Sequence, residues 1–163
     1  MFDRMLSTQP SRTLFAQRCM LALVMAPHGA QKALGLFGGY GMRATMAYFT
    51  GTLGIPAPLA FLVIIAESVG ALALLFGAAT RVAAFGITAV MVGAVLTSHL
   101  SVGFFMNWFG TQNGEGFEYH LLALALAIPL IVRGGGSFAI DRMLAAKLGH
   151  RTTGAAILSA PVA

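Results

Sequence analysis

Six ionisable side chains stand where an apolar chain tolerates them least: His28, Lys32, Glu67, His99, Glu118 and His120. Each lies inside or at the edge of a long apolar stretch, where a charge is expensive unless it has a partner or a task. Their types define the chemistry on offer. Histidine exchanges protons near neutral pH and can ligate a metal. Lysine donates hydrogen bonds, and a glutamate accepts them or gives up a proton. Together they are candidates for binding a ligand or handling a proton. Arg18 adds one more charge in the first apolar stretch, and it is the candidate ion-pair partner of Glu67.

Helical geometry sorts these residues. At about 100° per residue, Arg18, Ala22, Met25, His28, Gly29 and Lys32 share one arc of a helix, which should face neighbouring helices. The bland alternative lets Arg18 and Lys32 reach opposite headgroup layers and leaves only His28 in need of a partner. Glu67 shares its face with Ala60, Ile64, Gly70, Ala71 and Leu74, a set small enough for close packing, so it points inward. There it is either kept protonated by desolvation or paired with Arg18.

His28, Lys32, His99, Glu118, Tyr119 and His120 converge at one depth. Glu118 and His120 are about 200° apart on a regular helix, so both reach one pocket only if the helix start unwinds. His28 facing His99 would suit a bis-histidine haem or a metal, while histidines hydrogen-bonded in a polar cap are the commoner arrangement. No protein metal site is assigned from this pattern. Cys19 is the only cysteine, which excludes a CxxC pair, an internal disulfide and an iron–sulfur ligand set. Redox chemistry would therefore need a bound cofactor or a partner. Gly35 to Gly41 is not GxGxxG and follows no strand, and neither HExxH nor a Ser-His-Asp order is present.

The elements that position these groups follow from composition. Charged residues are 9% of 163, AVILMFWYC residues are 58%, and mean hydropathy is +0.82. So few polar side chains cannot cover a water-facing surface, and the continuous apolar runs lack a β-barrel's alternation. The composition predicts an all-α integral membrane four-helix bundle. Its spans are Leu14 to Ala30, Pro56 to Gly77, Val82 to Leu100 and Phe117 to Val132, with a kink expected at Pro129. The N-terminus does not read as a cleaved signal peptide.

Lys and Arg are divided unevenly between the two sides. Arg4, Arg12, Arg18, Arg81, Arg133, Arg142, Lys147 and Arg151 fall on one, and Lys32 and Arg43 on the other. The positive-inside rule then puts both termini in the cytoplasm. The net charge of +5 forms no dense patch, so nucleic acid is excluded as a partner and the lipid bilayer is expected. Met42 to Leu53 reads as an interfacial helix, and Phe104, Phe105, Trp108 and Phe109 as an aromatic belt. Ser137 to Leu148 reads as an inner-surface amphipathic helix, and the tail beyond His150 as disordered.

Five stretches in this order resemble the DoxX family of small four-helix membrane proteins. They are His28-Gly29-Ala30-Gln31-Lys32 with the glycine-rich loop to Gly41-Met42-Arg43-Ala44-Thr45, Ala66-Glu67-Ser68-Val69-Gly70-Ala71-Leu72, Thr80-Arg81-Val82-Ala83-Ala84, and Gly116-Phe117-Glu118-Tyr119-His120-Leu121-Leu122. The resemblance covers about residues 12 to 145. It implies a cytoplasmic segment 1–13, a four-helix transmembrane DoxX-like domain 14–133, and a cytoplasmic tail 134–163.

The family is named for a membrane subunit of a thiosulfate:quinone oxidoreductase. The resemblance therefore implies a bacterial inner-membrane subunit or partner of a quinone-linked redox process. Quinone and a redox protein would be its partners, and His28, Lys32, Glu67 and Glu118 its candidate functional positions. The alternative is a non-enzymatic accessory, a small-molecule channel or an assembly factor.

Overall fold

A computed structural model describes residues 8–147. Arg4, Arg151 and the tail beyond His150 lie outside the described residues. Among those described, the chain is all helical, without strands. Helix α1 runs Arg12–Leu34, α2 Gly41–Gly51, α3 Ala57–Phe76, α4 Thr80–Ala94 and α5 Glu118–Arg133. A π-helical turn, Val95–His99, extends α4, and α6 covers 140–147.

Local chemistry sets these limits. Ser11 caps α1 by accepting from the Leu14 N–H at 3.3 Å, and left-handed Gly35 (φ 73°) ends it. Both lie outside the apolar run, so α1 is longer at each end than its hydropathy indicated. Pro56 starts α3, and left-handed Gly77 closes it. Pro27 and Pro129 both sit inside continuous helices.

The four longer helices pack in cyclic order, α1 on α3, α3 on α4, α4 on α5 and α5 back on α1, with α1–α3 the most extensive and α1–α5 the least. At the α1–α3 crossing the backbones almost touch. A Cβ on Gly29 would lie 2.5 Å from the Ser68 Cα and 2.6 Å from the Glu67 carbonyl carbon, so only glycine fits there. Leu21, Met25, Ile64, Leu74, Ile87 and Leu130 fill the centre.

The surface inverts the pattern of a water-soluble fold. Leu23, Leu62, Leu72, Phe76, Phe85 and Leu122 are all exposed, while Arg18, Glu67, Thr80, His120 and Asp141 are buried. Such a surface matches hydrocarbon better than water. Ala57–Phe76 and Thr80–His99, at 20 residues each, are long and apolar enough to cross a membrane, spanning about 30 Å at 1.5 Å per residue. Four such helices were expected. The other two fall short for different reasons: α1 has the length but carries Arg18, His28 and Lys32, and α5 has only 16 residues.

At the end holding residues 77–81 and 133–141, here the terminal end, charges of matching sign close the helices. Arg18 donates from Nη1 to the Leu74 and Leu75 carbonyls at 2.5 and 2.7 Å, and from Nε to the Gly135 carbonyl at 3.0 Å. Arg81 donates to the Ile131 and Val132 carbonyls at 2.6 and 2.8 Å. Asp141 accepts from the Ala79 and Thr80 N–H groups at 2.6 and 2.8 Å. Cations thus sit at helix C-termini and an anion at an N-terminus, as the macrodipole favours. The segment from Gly134 folds beneath the helices, its Ser137 N–H bonded to the Ser11 carbonyl and its Asp141 N–H to that of Gly77.

This corrects the reading of Arg18. It does not extend to the protein surface, and it does not pair with Glu67. It is 1% exposed and bound to carbonyls. Asp141 was overlooked because an acid in a basic, amphipathic stretch resembles a solvated charge. A lone acid among Arg133, Arg142 and Lys147, following a glycine run, was the available signal.

Candidate functional site

The second polar centre lies toward the opposite end, where residues 35–55 and 100–117 form the loops. Lys32 and Glu67 form an ion pair, with side chains 25% and 5% exposed. Helical side chains lean toward their own N-terminus. Lys32 on α1 therefore leans down and Glu67 on antiparallel α3 leans up, so that residues one turn apart in depth meet beside Gly29. The face foreseen for Glu67 is the one buried, with Ala60, Ile64, Gly70, Ala71 and Leu74. Its partner was misjudged, since Lys32 occupies the place proposed for Arg18.

On the other side of this pair stand α5 and the π-helical turn. The His28 and Tyr119 rings are 5.9 Å apart, and His28 lies within electrostatic range of both Lys32 and Glu67. Tyr119 donates its hydroxyl to the Met25 sulfur at 3.4 Å, and its ring is 5.5 Å from that of His120. His28 is exposed at the α1–α5 seam, at the edge rather than the centre of the expected inward arc.

The His99 and His120 rings are 4.3 Å apart. His99 Nδ1 is 2.8 Å from the Glu115 carbonyl, which can only accept, so Nδ1 carries the proton and Nε2 keeps its lone pair. His120 is 6% exposed, and its Nδ1 has no hydrogen-bond partner among the described residues. The π turn at Val95–His99 brings His99 to this position, and no apolar periodicity foretold it.

His28 does not face His99, contrary to the bis-histidine arrangement considered from sequence. The pair in contact, His99 and His120, also does not suit a haem axis. Two imidazoles on opposite sides of a metal, each with its nitrogen ~2 Å away, have centroids roughly 6 Å apart. Among the described residues no three His, Cys, Asp or Glu side chains are grouped to hold a metal.

Glu118 and His120 diverge as helical geometry required. His120 is buried, whereas Glu118 turns to the loop and accepts from the Met106 N–H at 3.4 Å. Glu115 accepts from the Asn107 N–H at 2.7 Å. Glu118 thus holds the 100–117 loop more than it joins the partly buried cluster. Gathered there are His28, Lys32, Glu67, Tyr119, His120 and His99.

Fold and site define a small, membrane-associated protein, helical throughout its described residues, with an apolar exterior and a partly buried polar cluster toward one end. A family model described as DoxX matches residues 13–100, more than half of the 163, and the chain belongs to the DoxX family. It is similar to a Bacillus subtilis (strain 168) protein named "Putative oxidoreductase CatD", 27% identical over 124 residues, covering 76% of this chain and 81% of that protein. No solved structure matches the chain.

Proposed function

We propose that this protein is a multi-pass four-helix subunit or partner in a quinone-linked redox process of the bacterial inner membrane, with both termini cytoplasmic. The observation that carries the reading is the Lys32–Glu67 ion pair, its carboxylate buried, beside His28 and Tyr119 in a fold whose exterior is apolar. Charges so placed favour an amphiphilic ligand bearing carbonyl or hydroxyl oxygens. The donor set suits a quinone head group: an ammonium and an imidazole as donors, a carboxylate as acceptor, and a buried imidazole nitrogen without a partner at His120. When bound, a quinone supplies two-electron, two-proton chemistry. Lys32 and His28 would hold its oxygens, and the imidazoles would take up or return protons. The relative's name, an oxidoreductase, supports the redox part of this reading.

A small-molecule channel fits less well, because Arg18 and the segment from Gly135 to Asp141 close the terminal end. A structural accessory is the remaining competitor. Trp108, the single tryptophan, offers a probe on the loop that Glu118 holds. Titration of purified protein with short-chain ubiquinone or menaquinone analogues is expected to quench Trp108 saturably. His28→Ala should weaken that binding about tenfold, the worth of one hydrogen bond, with an unchanged melting temperature. An accessory would show no saturable binding to either analogue, and its His28→Ala variant would lose thermal stability.

Topology is tested separately. Reporter fusions at Gly110 and at the C-terminus are expected to report the outside and the cytoplasm respectively, from the eight-to-two division of Lys and Arg. A cytoplasmic signal at Gly110 would refute the orientation.

A further inference from the structure

The polar cluster has a way to water at the loop end and not at the other. The Lys32 side chain is 25% exposed and His28 lies at the exposed α1–α5 seam, whereas His120 is buried, with the His99 ring 4.3 Å away on the side of the loop. His99 is half-buried and hydrogen-bonded to the Glu115 carbonyl in an exposed loop. At the terminal end the core instead meets the Arg18 guanidinium, whose bonds to Leu74, Leu75 and Gly135 point at carbonyls, groups that take up no proton near neutral pH. Backbone packing seals the rest. A Cβ on Gly77 would lie 2.7 Å from the Ala139 Cα, and one on Gly136 would lie 2.6 Å from the Ser11 carbonyl oxygen.

We infer that His99 is the proton relay through which buried His120 exchanges protons with the loop-end aqueous face. The inference rests on the proposed site only in taking His120 as one of its proton-handling groups. The chemistry balances without any other reactant. Neutral His99 carries its proton on Nδ1 against the Glu115 carbonyl and offers the Nε2 lone pair. A proton passed from the His120 imidazolium to Nε2 leaves His120 neutral and makes His99 an imidazolium, which releases its Nδ1 proton to water at the loop; the ring then turns to present its remaining N–H to the Glu115 carbonyl. The reverse sequence brings a proton in.

The groups facing the pair are few. They are His28 from α1, Tyr119 and the Phe117 backbone beside His120, and the Glu115 carbonyl from the loop; Lys32 and Glu67 act on His28, Glu118 is turned to the loop, and Arg43 on α2 is exposed.

The test needs no quinone and no partner protein. The full chain, with ring-15N histidine, is placed in lipid nanodiscs, where both ends meet water. Exchange of the His120 ring protons with water is then followed by NMR saturation transfer, with exposed His28 as the internal control. His99→Phe is expected to slow exchange at His120 by about 100-fold, the usual worth of a positioned proton-transfer group, and to leave His28 unchanged. His99→Gln, which can still donate to the Glu115 carbonyl but cannot relay a proton, should slow His120 equally and guards against misfolding in the first variant. Wild-type exchange at His120 in His99→Gln would overturn the relay. Failure of quinone binding with slowed exchange would remove the redox reading and leave the relay. Quinone binding with unchanged exchange would do the opposite.

Discussion

Arg18→Leu is expected to destabilise this protein by about 5 kcal/mol and to deplete the folded form in membranes. The figure follows from what the guanidinium does. It donates to three carbonyls, two in the last turn of α3 and one in the segment after α5, and hydrogen bonds to charged groups contribute roughly 1.5–3 kcal/mol each. Leucine fills part of the space but donates nothing, leaving those oxygens buried without that partner. The aromatic contact of Arg18 with Phe15, 5.3 Å from guanidinium carbon to ring centre, is lost as well.

Arg18→Lys should recover only part of the loss, because one ammonium cannot reproduce a planar fork that reaches acceptors on two segments. Arg142 lies on the exposed side of α6 and supplies the control. Arg142→Leu should change stability by no more than about 0.5 kcal/mol. Thermal unfolding in mild detergent measures all three variants. An Arg18→Leu protein that melts beside the Arg142→Leu control would show that these bonds contribute nothing net.

Much of the fold was legible because apolar length and helical period are local properties. The inward face of α3 could be read from Ala60, Ile64, Glu67, Gly70, Ala71 and Leu74, and four of the helices fall near the expected spans. Pairing between helices was not legible to the same degree. Periodicity gives the direction of a side chain around its own axis, but not which helix stands opposite. Arg18 and Lys32 lie on nearly the same arc of α1 at opposite ends, and either could be drawn toward Glu67 on paper. The lean of side chains toward the helix N-terminus decides it, carrying Lys32 back toward Glu67 and Arg18 away from it.

The π turn at Val95–His99 shifts His99 out of any regular register and produces its contact with His120 rather than His28. Asp141 was hidden for a third reason. Its partners are the Ala79 and Thr80 amides, and backbone groups have no signature in a sequence.

Lys32→Met is expected to cost about 3–5 kcal/mol, the range for removing one partner from a buried ion pair and leaving the other uncompensated. Glu67 is the deeper member, so its stranded carboxylate has no easy path to water, whereas the Lys32 side chain is 25% exposed. Glu67→Met should therefore cost less, about 1–2 kcal/mol, because the freed ammonium can swing toward the loop end and hydrate.

The double variant should be more stable than Lys32→Met alone. Two methionines pack acceptably where two charges would otherwise be desolvated, and their flexible side chains fill the space beside Gly29. Glu67→Lys should be the worst of the set, since it brings two ammonium groups together against the α1–α3 crossing. A double-mutant cycle from thermal or denaturant unfolding gives the coupling directly, and a value of about 2 kcal/mol or more is expected for groups in direct contact. Additive single effects would mean that Lys32 and Glu67 are each solvated independently. If the double variant is stable yet binds neither quinone analogue, the pair is held for the ligand rather than for the fold. A stable double variant that binds as wild type would move the ligand site away from it, toward the seam where His28 meets Tyr119.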